Sequence, residues 1–135
     1  MNFNLISRNT NPNVTDVENF FRVNKSDSFR YFDKRSFEVI KSHVYTCLYI
    51  YDSEHIGYGH IDQERNKNWL GIFISERYRG FGLGKLIMND LTSKSDVIHL
   101  TVDFDNTVAI NLYKKVGFQE CKKEKNHYLM VYKKK

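Results

Sequence analysis

At 135 residues the chain has room for one domain, 1–135, and is long enough to bury about two thirds of its unfolded surface without a metal or disulfide staple. Its 41% hydrophobic and 27% charged residues are ordinary for a globular protein; no apolar run spans a bilayer, and the start Met1-Asn-Phe-Asn-Leu-Ile6 lacks the pattern of a secretory leader, so a cytoplasmic location without membrane contact is expected. The formal charge of +5 comes largely from lysines at 114, 115, 122, 123, 125 and 133 to 135, with no base-stacking or groove-reading motif beside them, which argues against nucleic acid as a partner.

Taken in order, residues 2–8 are apolar at alternate places and predict an edge strand. Asn9-Thr-Asn-Pro-Asn13 is turn chemistry, and Asn13 or Thr15 is placed to cap a first helix carrying Val14, Val17, Phe20 and Phe21 at helical spacing. A break at 24–28 and an aromatic, basic stretch at 29–35 lead to a second helical segment at 36–43. Residues 44–51 and 56–62 are β-branched and aromatic runs split by Asp52-Ser-Glu-His55, hence a hairpin; 63–68 is a polar turn, and 69–75 completes a meander. Alternation places Ile56, Tyr58, His60 and Asp62 on one face and Gly57 and Gly59 on the other, where something can pack closely.

The segment 83–93 is a helix, and Val97–Asp103 a short strand that must run parallel to 69–75 because a helix joins them. Asp105 or Asn106 caps the next helix, Gly117 ends it, and 118–125 and His127–Lys133 close the chain as antiparallel strands. Cys47 and Cys121 fall in strand-like runs with no second ligand at zinc spacing, so buried, reduced thiols and no metal are expected.

Between the strand at 69–75 and the helix at 83–93 lies Glu76-Arg-Tyr-Arg-Gly-Phe-Gly-Leu-Gly-Lys85. Gly80, Gly82 and Gly84 let the backbone approach a ligand without Cβ interference and put bare N–H groups at a helix start. With the helix dipole and the charges of Arg77, Arg79 and Lys85, the turn is an anion site suited to a phosphate or pyrophosphate. A P-loop would need Ser or Thr where Leu86 stands. A dinucleotide fingerprint would need G-x-G-x-x-G where this chain has G-x-G-x-G, and a full Rossmann domain does not fit the chain around it.

Arg79, Gly82 and Gly84 fit the pattern [QR]-x-x-G-x-[GA], and Asn106-Thr-Val-Ala-Ile-Asn-Leu-Tyr-Lys-Lys-Val-Gly-Phe118 fits N-x-x-A-x-x-L-Y-x-x-x-G-F. With both in order and one strand apart, the chain resembles the GNAT family of N-acetyltransferases. The resemblance implies an α/β (α+β) fold: a mixed, mostly antiparallel sheet of about seven strands, splayed at a central parallel pair, with about four helices. It implies acetyl-CoA as cosubstrate, its pyrophosphate on Arg79, Gly80, Gly82, Leu83, Gly84 and Lys85, and its pantetheine arm against the backbone of Ile72, Phe73 and Ile74. Asn106 would cap its helix and touch that arm.

Tyr113 matches the family's usual general acid, and a phenol can protonate a departing thiolate at neutral pH. Members acting on protein N-termini often carry a carboxylate where this chain has Thr101, which weakens a peptide acceptor. His60 is then the first choice of base, for its near-neutral ordinary pKa, with Asp62 or Asp103 acting through water as alternatives. The resemblance implies that the first two helices and their connection wall one side of the acceptor site, so Arg30, Tyr31, Lys34 and Arg35 are candidates to meet the substrate, and their cations suggest an acceptor bearing phosphate or carboxylate. The activity implied is acetyl transfer to a primary amine of a small molecule, an amino sugar or sugar nucleotide ahead of polyamines or antibiotics. Direct transfer in a ternary complex is expected, since neither motif holds a Cys or Ser to carry the acyl group. A protein or peptide amine is the alternative within the class, and a non-catalytic acyl-CoA-binding module the alternative outside it. The chain is expected as a monomer or homodimer.

Overall fold

The computed structural model describes residues 1–26 and 28–135; residue 27, within the expected break at 24–28, lies outside the described residues. Seven strands form one sheet: β1 Ser7–Asn9, β2 Tyr45–Tyr51, β3 Glu54–Glu64, β4 Lys67–Ile74, β5 Val97–Asp103, β6 Gln119–Lys123 and β7 His127–Lys133, in the spatial order β1-β2-β3-β4-β5-β7-β6. Every pairing is antiparallel except β4 with β5. That parallel pair is in register only at Trp69 and His99, and beyond it the two strands diverge, as the resemblance implied.

Helix α2, Leu83–Thr92, and helix α3, Thr107–Val116, cover one face, while α1, Val14–Val23, and a 3₁₀ segment, Phe37–Ser42, cover the other. The glycines of β3 decide how closely α2 lies on the sheet: a Cβ at Gly57 would stand 2.9 Å from the Ile87 Cδ1, and one at Gly59 3.0 Å from Leu91. The opposite face takes up many of the aromatic residues, which make up 15% of the sequence. Phe20, Phe21, Phe29, Tyr58 and Phe73 interlock there, Phe21 stacked on Phe29 at 5.1 Å and Phe20 edge-on to Phe73 at 5.9 Å. Each ring withdrawn from water contributes about 1.5–3 kcal/mol.

Helix ends follow side-chain chemistry. Asn13 caps α1 through the Asp16 N–H at 2.8 Å, Asn106 caps α3 through Ala109, and Gly117, at φ 120°, terminates α3. The β2–β3 and β3–β4 hairpins, at Asp52–Ser53 and Arg65–Asn66, turn on two residues of positive φ, the pattern that suits the strand twist. The second is therefore much tighter than the expected turn at 63–68, because β3 runs on to Glu64 and β4 begins at Lys67.

Four further expectations need correction. The predicted strand at 2–8 is a 3₁₀ turn, Phe3–Leu5, followed by a three-residue strand: Asn2 accepts from the Asn4 N–H and bends the chain. The helical segment at 36–43 is 3₁₀, not α. Ile56 leaves the Tyr58 face, because a bulge opposite Tyr49 and Ile50 leaves it unpaired and its side chain joins the core under α2. Cys47 is buried as expected, but Cys121 is exposed at a bulge in the edge strand β6.

A buried carboxylate ties the first strands to α2. Asp90 accepts from the hydroxyls of Tyr45 at 2.8 Å and Tyr49 at 2.7 Å and from the Arg8 guanidinium, so β1, β2 and the helix are held at one point. Among the described residues no helix is long and apolar enough to cross a membrane.

Candidate active site

The start of α2 differs from the other two helices. Its N-cap is Gly82, with no side-chain cap and no acidic residue in the first turn, so the first N–H groups of the helix have no side-chain acceptor. Gly80 and Gly82 both adopt φ 85°, the left-handed region in which L side chains are strained. Lys85 and Arg79 are exposed beside them; Arg79 donates from Nε to the Ile74 carbonyl at 3.0 Å and lies 5.3 Å over the Phe73 ring. Leu83 packs its side chain into the core and leaves only its backbone at the turn. Gly84 has a packing reason of its own: a Cβ there would come within 2.8 Å of Leu112 on α3.

A cavity of about 420 Å³ opens where β4 and β5 part. Ile72, Asn106 and Tyr113 line it from one side, Tyr31 and Arg35 from another, and His60 and Asp62 from β3. Phe73 and Ile74 send their side chains into the two cores, and neither lines the cavity. The Tyr113 hydroxyl has no hydrogen-bond partner among the described residues and is not sealed from the cavity; burial alone pushes the phenol up to about 12.

The arginines expected to meet an acidic acceptor both line the cavity and are ion-paired with carboxylates that line it too. Arg30 grips Asp103 with both terminal nitrogens, at 3.2 and 3.1 Å, and Arg35 lies 4.3 Å over the Tyr31 ring while donating to Glu64 at 3.2 Å. Lys34 is exposed and lines no part of the cavity.

His60 is 2% exposed, with Nδ1 2.6 Å from the Tyr58 hydroxyl. Burial, then the neighbouring His43 and Arg35, drive its pKa well below the ordinary 6.5, so the near-neutral titration expected of it does not survive folding. Its ring also fixes Gly71, where a Cβ would stand 2.5 Å from the imidazole. Asp62 accepts from the Tyr31 hydroxyl at 2.7 Å, and the same oxygen lies 2.7 Å from His43 Nε2. His43, Tyr58 and Gly71 were invisible as site residues in the sequence; a glycine inside a strand was the one available signal. Among the described residues no three His, Cys, Asp or Glu side chains converge to hold a metal ion.

A family model described as the acetyltransferase (GNAT) family matches residues 13–118. The chain is 42% identical over 66 residues to a spermine/spermidine N(1)-acetyltransferase of Bacillus subtilis, a match covering 42% of this chain and 43% of that one. It is 35% identical over 65 residues to an N-alpha-acetyltransferase of Sulfurisphaera tokodaii, covering 44% and 39%. The matches thus span less than half the length of either curated relative. The PaiA N-acetyltransferase of Thermoplasma acidophilum, solved in complex with coenzyme A, superposes with a TM-score of 0.74 at 20% identity, over 95% of this chain and 98% of that one.

Proposed function

Because the chain belongs to the acetyltransferase (GNAT) family, we propose that it transfers acetyl from acetyl-CoA to the primary amine of a small molecule, directly, within a ternary complex. The observation that carries this is the meeting of an uncapped, glycine-rich helix start with a sheet split open onto a cavity containing Tyr113.

The residues present fit the cosubstrate. The backbone N–H groups of Leu83, Gly84 and Lys85, at the positive end of the α2 dipole, bind the pyrophosphate, Gly80 and Gly82 leave room for it, and Arg79 and Lys85 add charge. Beyond Trp69, β4 has an edge without ladder partners on β5, so the backbone of Ile72, Phe73 and Ile74 receives the amide groups of the pantetheine arm, and a β4 N–H polarises the thioester carbonyl. Asn106 lines the same opening while its Oδ1 caps α3. Tyr113 gives its proton to the departing sulfur; raised to about 12, it remains a phenol at neutral pH and is available for that task. A binding-only module has no use for such an acid, which sets that alternative second.

Charge supports one choice of acceptor. Around the cavity three carboxylates, Asp62, Glu64 and Asp103, stand against two guanidiniums, Arg30 and Arg35, each already ion-paired. That balance supports a polyamine ahead of an amino sugar or sugar nucleotide. The similarity to a spermine/spermidine acetyltransferase supports the same choice. A protein N-terminus is the remaining alternative, and the similarity to an N-alpha-acetyltransferase is what favours it. CoA release should be measured with spermidine, spermine, glucosamine, a nucleotide-linked amino sugar and a short peptide. Fastest release with a polyamine is the expected result. Faster release with the sugar nucleotide would reverse the acceptor assignment, and CoA binding without release for any amine would favour the binding module.

A further inference from the structure

The structure assigns the removal of the acceptor's proton to Asp62, aimed into the cavity by a hydrogen-bond relay that runs from Thr46 through His43 and Tyr31. The assignment rests on the acetyl-transfer reading above. The directions of the hydrogen bonds follow from donor count. Tyr31 has one hydroxyl hydrogen, and the Asp62 carboxylate can only accept it. The Tyr31 oxygen must then accept from His43 Nε2–H, which leaves Nδ1 without a proton and able to accept from the Thr46 hydroxyl at 2.8 Å. Every donor in the run therefore points toward Asp62. Tyr31 engages Oδ2, so Oδ1 is the oxygen left for an incoming amine.

The other groups facing the cavity are otherwise engaged. Asp103 is held by Arg30 and Glu64 by Arg35, whereas Asp62 has no ion-pair partner among the described residues. His60 is excluded by the same counting. Tyr58 is fully buried, and His60 Nδ1 is the sole partner of its hydroxyl among the described residues, so Tyr58 donates and the imidazole carries its proton on Nε2. His60 is thus a donor into the cavity, and a neutral imidazole protonated there cannot take a second proton when burial and the facing His43 and Arg35 oppose the charge.

The step balances as follows. The ammonium nitrogen gives one proton to Asp62 Oδ1, forms its bond to the acetyl carbon, and the carbon–sulfur bond breaks as Tyr113 protonates the sulfur. The second nitrogen proton returns to the Tyr113 oxygen, and Asp62 releases its proton to solvent at the cavity mouth.

Asp62→Asn keeps the size of the side chain but cannot take a proton. With acetyl-CoA and two probe amines, spermidine and the weaker base glucosamine, kcat/KM should fall about 10²–10⁴-fold for spermidine and by clearly less for glucosamine, with CoA affinity unchanged by calorimetry. An equal loss for both amines, unaffected by raising the pH, would overturn the proton-acceptor role and leave Asp62 as a charge anchor. The relay has a readout without turnover: in the wild-type chain the ¹⁵N shifts of His43 should report protonation at Nε2, and Tyr31→Phe should move the Nε2 signal. A proton on Nδ1 would overturn the relay. If the wild-type chain acetylates neither these probes nor the other amines named above, the acetyl-transfer reading fails and the base role with it, while the His43 spectrum still decides the hydrogen-bond order; if it acetylates only another of them, the Asp62→Asn comparison is made with that amine.

Discussion

On the proposed acetyl transfer, Tyr113 serves packing and chemistry at once. Its ring lies 6.1 Å from Phe118 in the core beneath α3, while its hydroxyl meets the cavity and no protein partner among the described residues. Tyr113→Phe removes one oxygen and no protein hydrogen bond, so folding and CoA affinity should hold while turnover drops about 10²–10⁴-fold. Wild-type turnover in that variant would return Tyr113 to a purely structural role. His60 makes the opposite case: the residue type suggested a near-neutral base, and burial beside Tyr58 drives its pKa well below that range.

At the scale of elements, the start of α2 and the split between β4 and β5 matter together. A helix whose first N–H groups face no side-chain acceptor is usually costly, and here that vacancy coincides with two left-handed glycines and a sheet edge lacking ladder bonds. A β-branched residue at Gly82 would be strained at φ 85°, with its Cβ 3.4 Å from the Phe3 ring. Gly82→Val should therefore weaken CoA binding about 10–100-fold, the equivalent of losing one charge-assisted hydrogen bond or slightly less. Unchanged affinity by calorimetry in a folded Gly82→Val chain would move the pyrophosphate away from this turn.

Across the whole molecule, the buried imidazole of His60 and the half-buried one of His43 link the site to stability. Burial lowers the pKa of both His60 and His43 from 6.5, so as pH falls below that value the unfolded chain binds protons that the folded chain refuses. Their contribution is intact above 6.5 and is lost as pH falls toward the folded values. For a single histidine the slope approaches about 1.4 kcal/mol per pH unit. Urea unfolding should show stability declining between about pH 7 and 5, with a shallower decline in His60→Gln. A flat profile over that range would show that the imidazoles are not held neutral.

What the sequence determined by itself is what neighbouring residues decide. Strand β5, strand β7 and the caps at Asn13, Asn106 and Gly117 were legible because periodicity and capping are contacts within a few residues of one another. The glycine turn and the motif ending at Phe118 carried the family for the same reason. Tertiary structure alone decided which polar side chains meet. Tyr31 meets Asp62 across 31 positions and Arg30 meets Asp103 across 73, and nothing local marks either pair. A one-residue bulge sent Ile56 to the other face, and Tyr49 and Tyr45 reached Asp90 only once α2 lay on the sheet. Residue type gave the inventory of acids, bases and donors, but which of them a hydrogen bond or an ion pair consumes depends on strand register and burial, and those are set by the packing of the whole chain.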